Sequence, residues 1–146
     1  MRLLLQRVSR AEVRVEGQIV GRIGVGLLIL CGFKKEDRRE VIPKMAEKCL
    51  NLRIFEDSAQ KMNLSVLDIK GAILAVSQFT LYADCRRGRR PGFDTSMAPE
   101  EANRFFQIFL EELRKSGLPV ESGIFGAKME VELINAGPVT IILDDE

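Results

Sequence analysis

The 146-residue sequence contains no histidine and no tryptophan, a single tyrosine and three cysteines. Without histidine, neither a Ser-His-Asp nor a Cys-His catalytic arrangement can form. Any zinc site would have to be assembled from carboxylates and scattered thiols. The cysteines, Cys31, Cys49 and Cys85, are odd in number and widely spaced, with no Cys-x-x-Cys, so a disulfide framework is not indicated. Charge of one sign is lacking too: 22 Lys and Arg stand against 21 Asp and Glu. Attraction to a polyanion must therefore come from a local patch. No apolar run approaches membrane-spanning length, and the start, Met1-Arg2-Leu3-Leu4-Leu5-Gln6-Arg7, meets charge too early for a signal peptide. The expectation is a soluble cytoplasmic protein with reduced thiols. No dinucleotide fingerprint, Walker loop or metal cluster is present, so neither metal nor cofactor is expected.

Hydrophobic residues make up 46% of the chain, enough for a core, and the length fits one domain over 1–146. Leu3 to Val8 and Glu12 to Val15 read as strands. Glu16-Gly17 is a hairpin turn, and Gln18 to Ile23 returns. After Gly24-Val25-Gly26, the unbroken apolar run Leu27 to Cys31 is a strand buried on both faces. Val41, Ile42, Met45, Cys49 and Leu52 recur at helical spacing. Arg53 to Phe55 is a short strand and Asp57 to Asn63 a loop. Ile73 to Val76 is another buried strand. Pro99 opens a second helix with Glu100 and Glu101 at its positive end, and Ala102, Phe105, Phe106, Phe109, Leu110 and Leu113 form its apolar face. Its phenylalanines are core by their spacing. Gly117 and Pro119 stop it. Strands follow at Val120 to Ser122, Met129 to Asn135 and Val139 to Leu143, with a Gly-Pro turn between the last two. These elements predict an α+β fold, a curved or closed sheet with two helices packed on it.

Four segments carry possible chemistry. Asn135-Ala136-Gly137-Pro138-Val139-Thr140 places a glycine and a proline inside a strand pattern, where they present main-chain rather than side-chain atoms. An X-Pro bond is also where a cis peptide is cheap. Ser77-Gln78-Phe79-Thr80-Leu81 puts two hydroxyls and an amide where a buried strand leaves the core. It reads either as a strand end capped by Ser and Thr, or as a catalytic site whose Phe79 and Thr80 N–H groups face a developing oxyanion. Arg86-Arg87-Gly88-Arg89-Arg90-Pro91 reads either as a solvated charged loop or as a contact to a phosphate backbone. Gly123-Ile124-Phe125-Gly126-Ala127-Lys128-Met129 holds one aromatic between glycines, which either tucks into the core or stacks on a nucleobase. Cys31 and Cys49 lie in apolar patterns and belong to the core, while Cys85 stands beside arginines on a loop.

The order of these segments resembles the D-aminoacyl-tRNA deacylase family from end to end. The likeness rests on Leu4 to Ala11, Gly26 to Leu30, Lys61-Met62-Asn63-Leu64, Ser77 to Leu81, the arginine loop ending at Pro91, and Asn135 to Thr140. It implies a homodimer of barrel-like subunits with active sites shared across subunits. It implies hydrolysis of the ester that joins a D-amino acid, or glycine, to the terminal adenosine of tRNA, with L-aminoacyl esters rejected. In the resemblance, Gly137-Pro138 is a cis pair inserted into the partner's pocket as the chirality filter. Ser77, Gln78, Phe79 and Thr80 line the catalytic floor. The Phe125 loop, with Ala127 and Met129, holds the adenosine. On the phosphate reading of the arginine loop, Arg86, Arg87, Arg89 and Arg90 then meet the tRNA backbone. One departure is Ala136, where members of the family often carry Asp. It removes a side-chain contact and leaves the main-chain role of Gly137 and Pro138 intact.

With so little acid–base machinery, the implied mechanism uses the substrate's own 2′-hydroxyl to assist water. Thr80 is the rival, as a nucleophile, although nothing nearby serves as its base. Three other tasks stay open at this level: editing of mischarged L-seryl-tRNA, as in a related domain of some threonyl-tRNA synthetases; non-catalytic RNA binding by a dimer; and a generic small-molecule esterase.

Overall fold

The computed structural model describes residues 1–145. The organising element is a long first strand, β1 (Arg2–Val15), with neighbours on both sides. A two-residue turn joins it to β2 (Gln18–Ile23). Both turn residues have positive φ, Glu16 at 50° and Gly17 at 77°. That geometry matches the twist of a tight hairpin. β3 (Gly26–Gly32) then returns antiparallel to the first half of β1.

Helix α1 (Val41–Asn51) and a small ribbon of β4 (Phe55–Glu56) and β5 (Met62–Leu64) lead to β6 (Ala72–Ser77), which runs parallel to β3. A single 3-10 turn, Phe79–Tyr82, and a long loop precede helix α2 (Pro99–Arg114). β7 (Val120–Ser122) pairs parallel to β6, and β8 (Glu130–Asp144) pairs antiparallel along the whole of β1. The main sheet therefore runs β2-β1-β3-β6-β7, with β8 on the other side of β1. Its ends nearly meet: a Cβ added at Gly21 of β2 would lie 2.9 Å from the Ser122 carbonyl oxygen of β7. The α+β, barrel-like architecture expected from the sequence is the one observed.

Two apolar clusters explain the strand patterns. Leu27, Ile29 and Cys31 of β3 join Ile73 and Ala75 of β6 beneath α1 and α2. Leu28 of β3 faces the opposite way, with Leu74, Val76, Val8, Val13 and Ile23, inside the curved sheet. A strand sandwiched between two apolar layers has no polar face, hence the unbroken Leu27–Cys31 run. On α2 the buried residues are Ala102, Phe105, Phe106, Phe109, Leu110 and Leu113, the stripe read from spacing. Cys31 and Cys49 are buried and Cys85 is exposed.

The local expectations need correcting at three points. Leu3–Val8 and Glu12–Val15 are one strand, because the exposed Ser9 is bulged out between Val8, opposite Asn135, and Arg10, opposite Ile134, so the ladder with β8 continues across it. The Gly-Pro step does not reverse the chain. Its two flanks pair with the same strand in the same direction, and between Asn135 and Thr140 β8 advances five residues while β1 advances two, from Val8 back to Gln6. It is an enlarged bulge in a continuous strand. Finally, Asp57–Asn63 is not all loop and the short strand before it is shifted. Phe55–Glu56 pairs with Met62–Leu64, and the turn is organised by the Asp57 carboxylate. That carboxylate accepts hydrogen bonds from the Lys61 and Ala59 N–H groups and the Asn63 amide, and the Lys61 bond leads in holding its pKa below the ordinary value.

Candidate active site

β6 ends at Ser77, level with Cys31 of β3. Gln78 keeps the chain tied to β3 by donating its N–H to the Cys31 carbonyl at 2.7 Å, and the 3-10 turn begins one residue later. The start of such a turn leaves N–H groups without intrahelical partners. Among the described residues, the N–H groups of Phe79 and Thr80 donate to no acceptor within the chain. The Thr80 hydroxyl accepts a hydrogen bond from the Gln78 side-chain amide at 2.5 Å, and both groups are exposed.

Beside this strand end opens a cavity of about 410 Å³, within the usual range for a small-ligand site. Its lining brings Ser77, Gln78 and Phe79 together with Phe125, Ala127 and Met129, nearly fifty residues away in sequence. The Phe125 loop closes through Gly126, at φ 77°, and an Ala127 N–H to Ile124 carbonyl bond of 3.2 Å. Phe125 is half-buried, its ring 6.2 Å from that of Phe106 in the core, and it also lines the cavity. Phe33 and Met97 also line the cavity and no sequence motif pointed to them, while Pro99 and Ala102, read from the sequence as part of α2, add to the same wall.

Cys31 is the sole titratable side chain in that lining. Burial pushes its thiol well above the ordinary value, with Cys49 adding to the effect, so it stays protonated at neutral pH. Cys49 is likewise pushed up, to about 12, by burial. No carboxylate or amine lines the cavity, so its walls offer a substrate main-chain dipoles, a hydroxyl and an amide. Among the described residues no group of three or more potential His, Cys, Asp or Glu ligands for a metal comes together.

Thr80, Gly137, Pro138 and the four loop arginines stand outside this lining. Gly137 and Pro138 project from the bulge of β8, exposed, joined by a cis peptide bond. The bulge is held from beneath. Arg7 donates from Nε to the Ala136 carbonyl at 2.8 Å and from Nη1 to the Ile54 carbonyl at 2.8 Å, and its side chain is only 11% exposed. The Asn135 side chain accepts the Val139 N–H at 2.8 Å and donates to the Thr140 hydroxyl at 2.9 Å. Sequence reasoning missed Arg7, although a signal existed: Leu3, Leu5 and Arg7 share one face of a strand, and a charge on an apolar face needs a partner. The substitution at Ala136 is neutral to this arrangement, since Arg7 binds the carbonyl.

In the arginine loop, Arg86 is committed to Asp84 through Nε at 2.9 Å and Nη2 at 2.6 Å. These bonds hold the Asp84 carboxyl well below the usual carboxylate range. Arg87, Arg89 and Arg90 are exposed and make no ion pair among the described residues. The loop therefore keeps three uncompensated cations in a chain of net charge +1.

A model of the D-Tyr-tRNA(Tyr) deacylase family matches residues 4–144, nearly the whole chain. The chain belongs to that family. D-aminoacyl-tRNA deacylases of Bacillus cytotoxicus and Koribacter versatilis are each 53% identical to it over 146 residues, covering all of this chain and 100% and 98% of theirs. A solved structure described as a c-Myc DNA unwinding element binding protein superposes with a TM-score of 0.92 at 43% identity, over 99% of this chain and 98% of its own. Another, described as a "probable eukaryotic D-amino acid tRNA deacylase", shares the fold with a TM-score of 0.83 at 19% identity, over 97% of both chains. As a member of the deacylase family the chain is an enzyme, a hydrolase of D-aminoacyl-tRNA. No helix is long and apolar enough to cross a membrane, among the described residues.

Proposed function

We propose that the cavity takes the aminoacylated terminal adenosine of tRNA, and that hydrolysis there is assisted by the RNA itself. The observation that carries this reading is a cavity with main-chain donors at its rim and no usable side-chain base in its wall. Phe125, Ala127 and Met129 hold the adenosine. Water adds to the ester carbonyl carbon, and the resulting oxyanion lies against the Phe79 and Thr80 N–H groups. Such donors supply a few kcal/mol each in a dry site. The neighbouring 2′-hydroxyl relays the water's proton toward the ribose oxygen as the acyl–oxygen bond breaks. An aminoacyl ester is already activated, and each 1.36 kcal/mol off the barrier is tenfold in rate, so positioning plus an oxyanion site suffices.

The enzyme acts as a cytoplasmic homodimer in which each subunit supplies Gly137 and Pro138 to the other's cavity. Support comes from where the bulge sits: exposed, off the cavity of its own subunit, and flanked on β8 by the exposed Ile134 and Ile142. Main-chain atoms there reject an L side chain by clash, admit D, and also admit glycine, which has no side chain to exclude. Arg87, Arg89 and Arg90 meet the tRNA backbone, with Arg86 held back by Asp84.

The test is turnover of matched esters. D-Tyr-tRNA should be hydrolysed at least a hundredfold faster than L-Tyr-tRNA; comparable rates would remove the reading. L-seryl-tRNA should be spared, and an intact D-ester would point to a pure RNA binder. A second prediction separates the two mechanisms. Thr80→Ala should retain D-Tyr-tRNA turnover within about tenfold, because the hydroxyl has no base beside it. A substrate ending in 2′-deoxyadenosine should lose more than a hundredfold. Abolished activity in Thr80→Ala, with folding and tRNA binding unchanged, would make Thr80 the nucleophile instead.

A further inference from the structure

At the rim of the cavity lies an aromatic pair outside the adenosine wall. Phe79 is 57% exposed and Phe93 is 37% exposed, which is unusual for two large apolar rings in contact. Their centroids are 4.9 Å apart with planes at 62°. Phe93 does not line the cavity. Its loop is nevertheless fixed at several points. Asp84 and Gly92 exchange main-chain hydrogen bonds of 2.8 and 2.9 Å across the base of the arginine segment. The Phe93 carbonyl accepts the Ser96 N–H at 3.0 Å, and the Met97 N–H reaches the Phe33 carbonyl at 3.0 Å. The same loop thus presents a rigid aromatic at its base and Arg87, Arg89 and Arg90 at its tip. A π-surface beside a cationic tract is the pattern that holds single-stranded nucleic acid, one base on the ring and the phosphates along the charges.

We propose that Phe79 and Phe93 form a stacking platform for the unpaired nucleotide immediately 5′ of the terminal adenosine. This rests on the reading that the cavity takes that adenosine. Once it is seated, the next nucleotide must leave across the rim, and the rim toward the cationic loop is aromatic. Stacking is indifferent to base identity, which suits an enzyme that meets many RNAs through one common end. An RNA occupant is favoured over a second protein copy because the loop that carries Phe93 also carries three exposed arginines with no ion pair among the described residues.

Two esters test the platform: D-Tyr-tRNA and D-tyrosyl-adenosine, which lacks the 5′ nucleotide. In Phe93→Ala, kcat/KM on D-Tyr-tRNA should fall about tenfold, mostly through KM, the scale of one stacked base. D-tyrosyl-adenosine should be cleaved within twofold of the wild-type rate, which also shows that the cavity is intact. Phe93→Trp should keep activity and introduce the sole tryptophan of the chain. Its fluorescence should be quenched by deacylated tRNA and not by tRNA trimmed of its unpaired 3′ nucleotides. An equal fall on both esters, no fall on either, or a dimer loosened by Phe93→Ala would each overturn the platform while leaving the deacylase reading in place. A wild-type protein that cleaves neither ester overturns that reading itself.

Discussion

Gly26→Ala is expected to lower the melting temperature of the protein by about 10 °C or more. A Cβ built at Gly26 would sit 1.8 Å from the Ala72 carbonyl oxygen, 2.7 Å from its carbon and 2.8 Å from the Ala72 nitrogen. All three atoms are main chain, so no side-chain rotation relieves the overlap. Gly26 pairs with Ala72 in the parallel β3–β6 ladder and with Val8 of β1, and the adjacent Ala72 N–H donates to the Val25 carbonyl at 3.0 Å. A methyl group there must part the two central strands at their first rung. Overpacking that a core can absorb costs 1–3 kcal/mol. Here the strain falls on backbone, so we expect more than about 3 kcal/mol, or a melting temperature lower by about 10 °C. Gly24→Ala, two residues away, is the control: nothing lies within 4 Å of the added methyl. It should melt within a degree or two of the wild type. If Gly26→Ala melts alongside Gly24→Ala by calorimetry, the close approach of β3 and β6 is wrong.

That close approach also marks how far the sequence alone can be read. Burial on both faces of β3 was legible, because it abolishes the polar half of the alternation. So was α2, whose apolar stripe and Pro99 start follow from local rules. The reach of β1 was not. Whether Ser9 and Arg10 interrupt a strand or ride through it depends on β8, whose Asn135 and Ile134 pair with Val8 and Arg10 across the bulged Ser9. The same partner turns Gly137-Pro138 from an apparent chain reversal into a bulge. Locally a proline after glycine says only that the ladder is broken; the direction in which the chain leaves is fixed by β1. Ser77–Phe79 and Phe125–Met129 each stood out by composition, yet their meeting in one cavity is a consequence of β6 and β7 lying side by side. Phe93 gave no signal. A single phenylalanine in an aperiodic loop reads as a residue that folds inward, and its exposure beside Phe79 emerges only from the hydrogen bonds that fix the loop.

The second large effect belongs to the bulge, and it is an effect on selectivity. Gly137 holds φ at 137°, a conformation that side-chain-bearing residues rarely adopt. A Cβ there would lie 2.8 Å from Nη2 of Arg7 and 2.9 Å from Cγ2 of Val139. Gly137→Ala therefore acts twice: it strains the peptide and pushes on the guanidinium that holds the Ala136 carbonyl. Both shift the main-chain atoms that we assign as the wall against L side chains. The ratio of kcat/KM for D-Tyr-tRNA over L-Tyr-tRNA should drop by two orders of magnitude or more, about 2.7 kcal/mol of lost discrimination. The strain and the overlap should also lower global stability by about 1–3 kcal/mol, which leaves the variant folded for the comparison of the two esters. Arg7→Lys should move the ratio in the same direction by a smaller factor. A single ammonium cannot reproduce the fork that spans the Ala136 and Ile54 carbonyls. The two substitutions approach the bulge from opposite sides, one from its exposed crest and one from its buried anchor. Loss of selectivity in both, with D-ester turnover retained, would tie chirality to bulge geometry rather than to any side chain within it. Unchanged selectivity in Gly137→Ala, with wild-type turnover of the D-ester, would separate the bulge from chiral discrimination altogether.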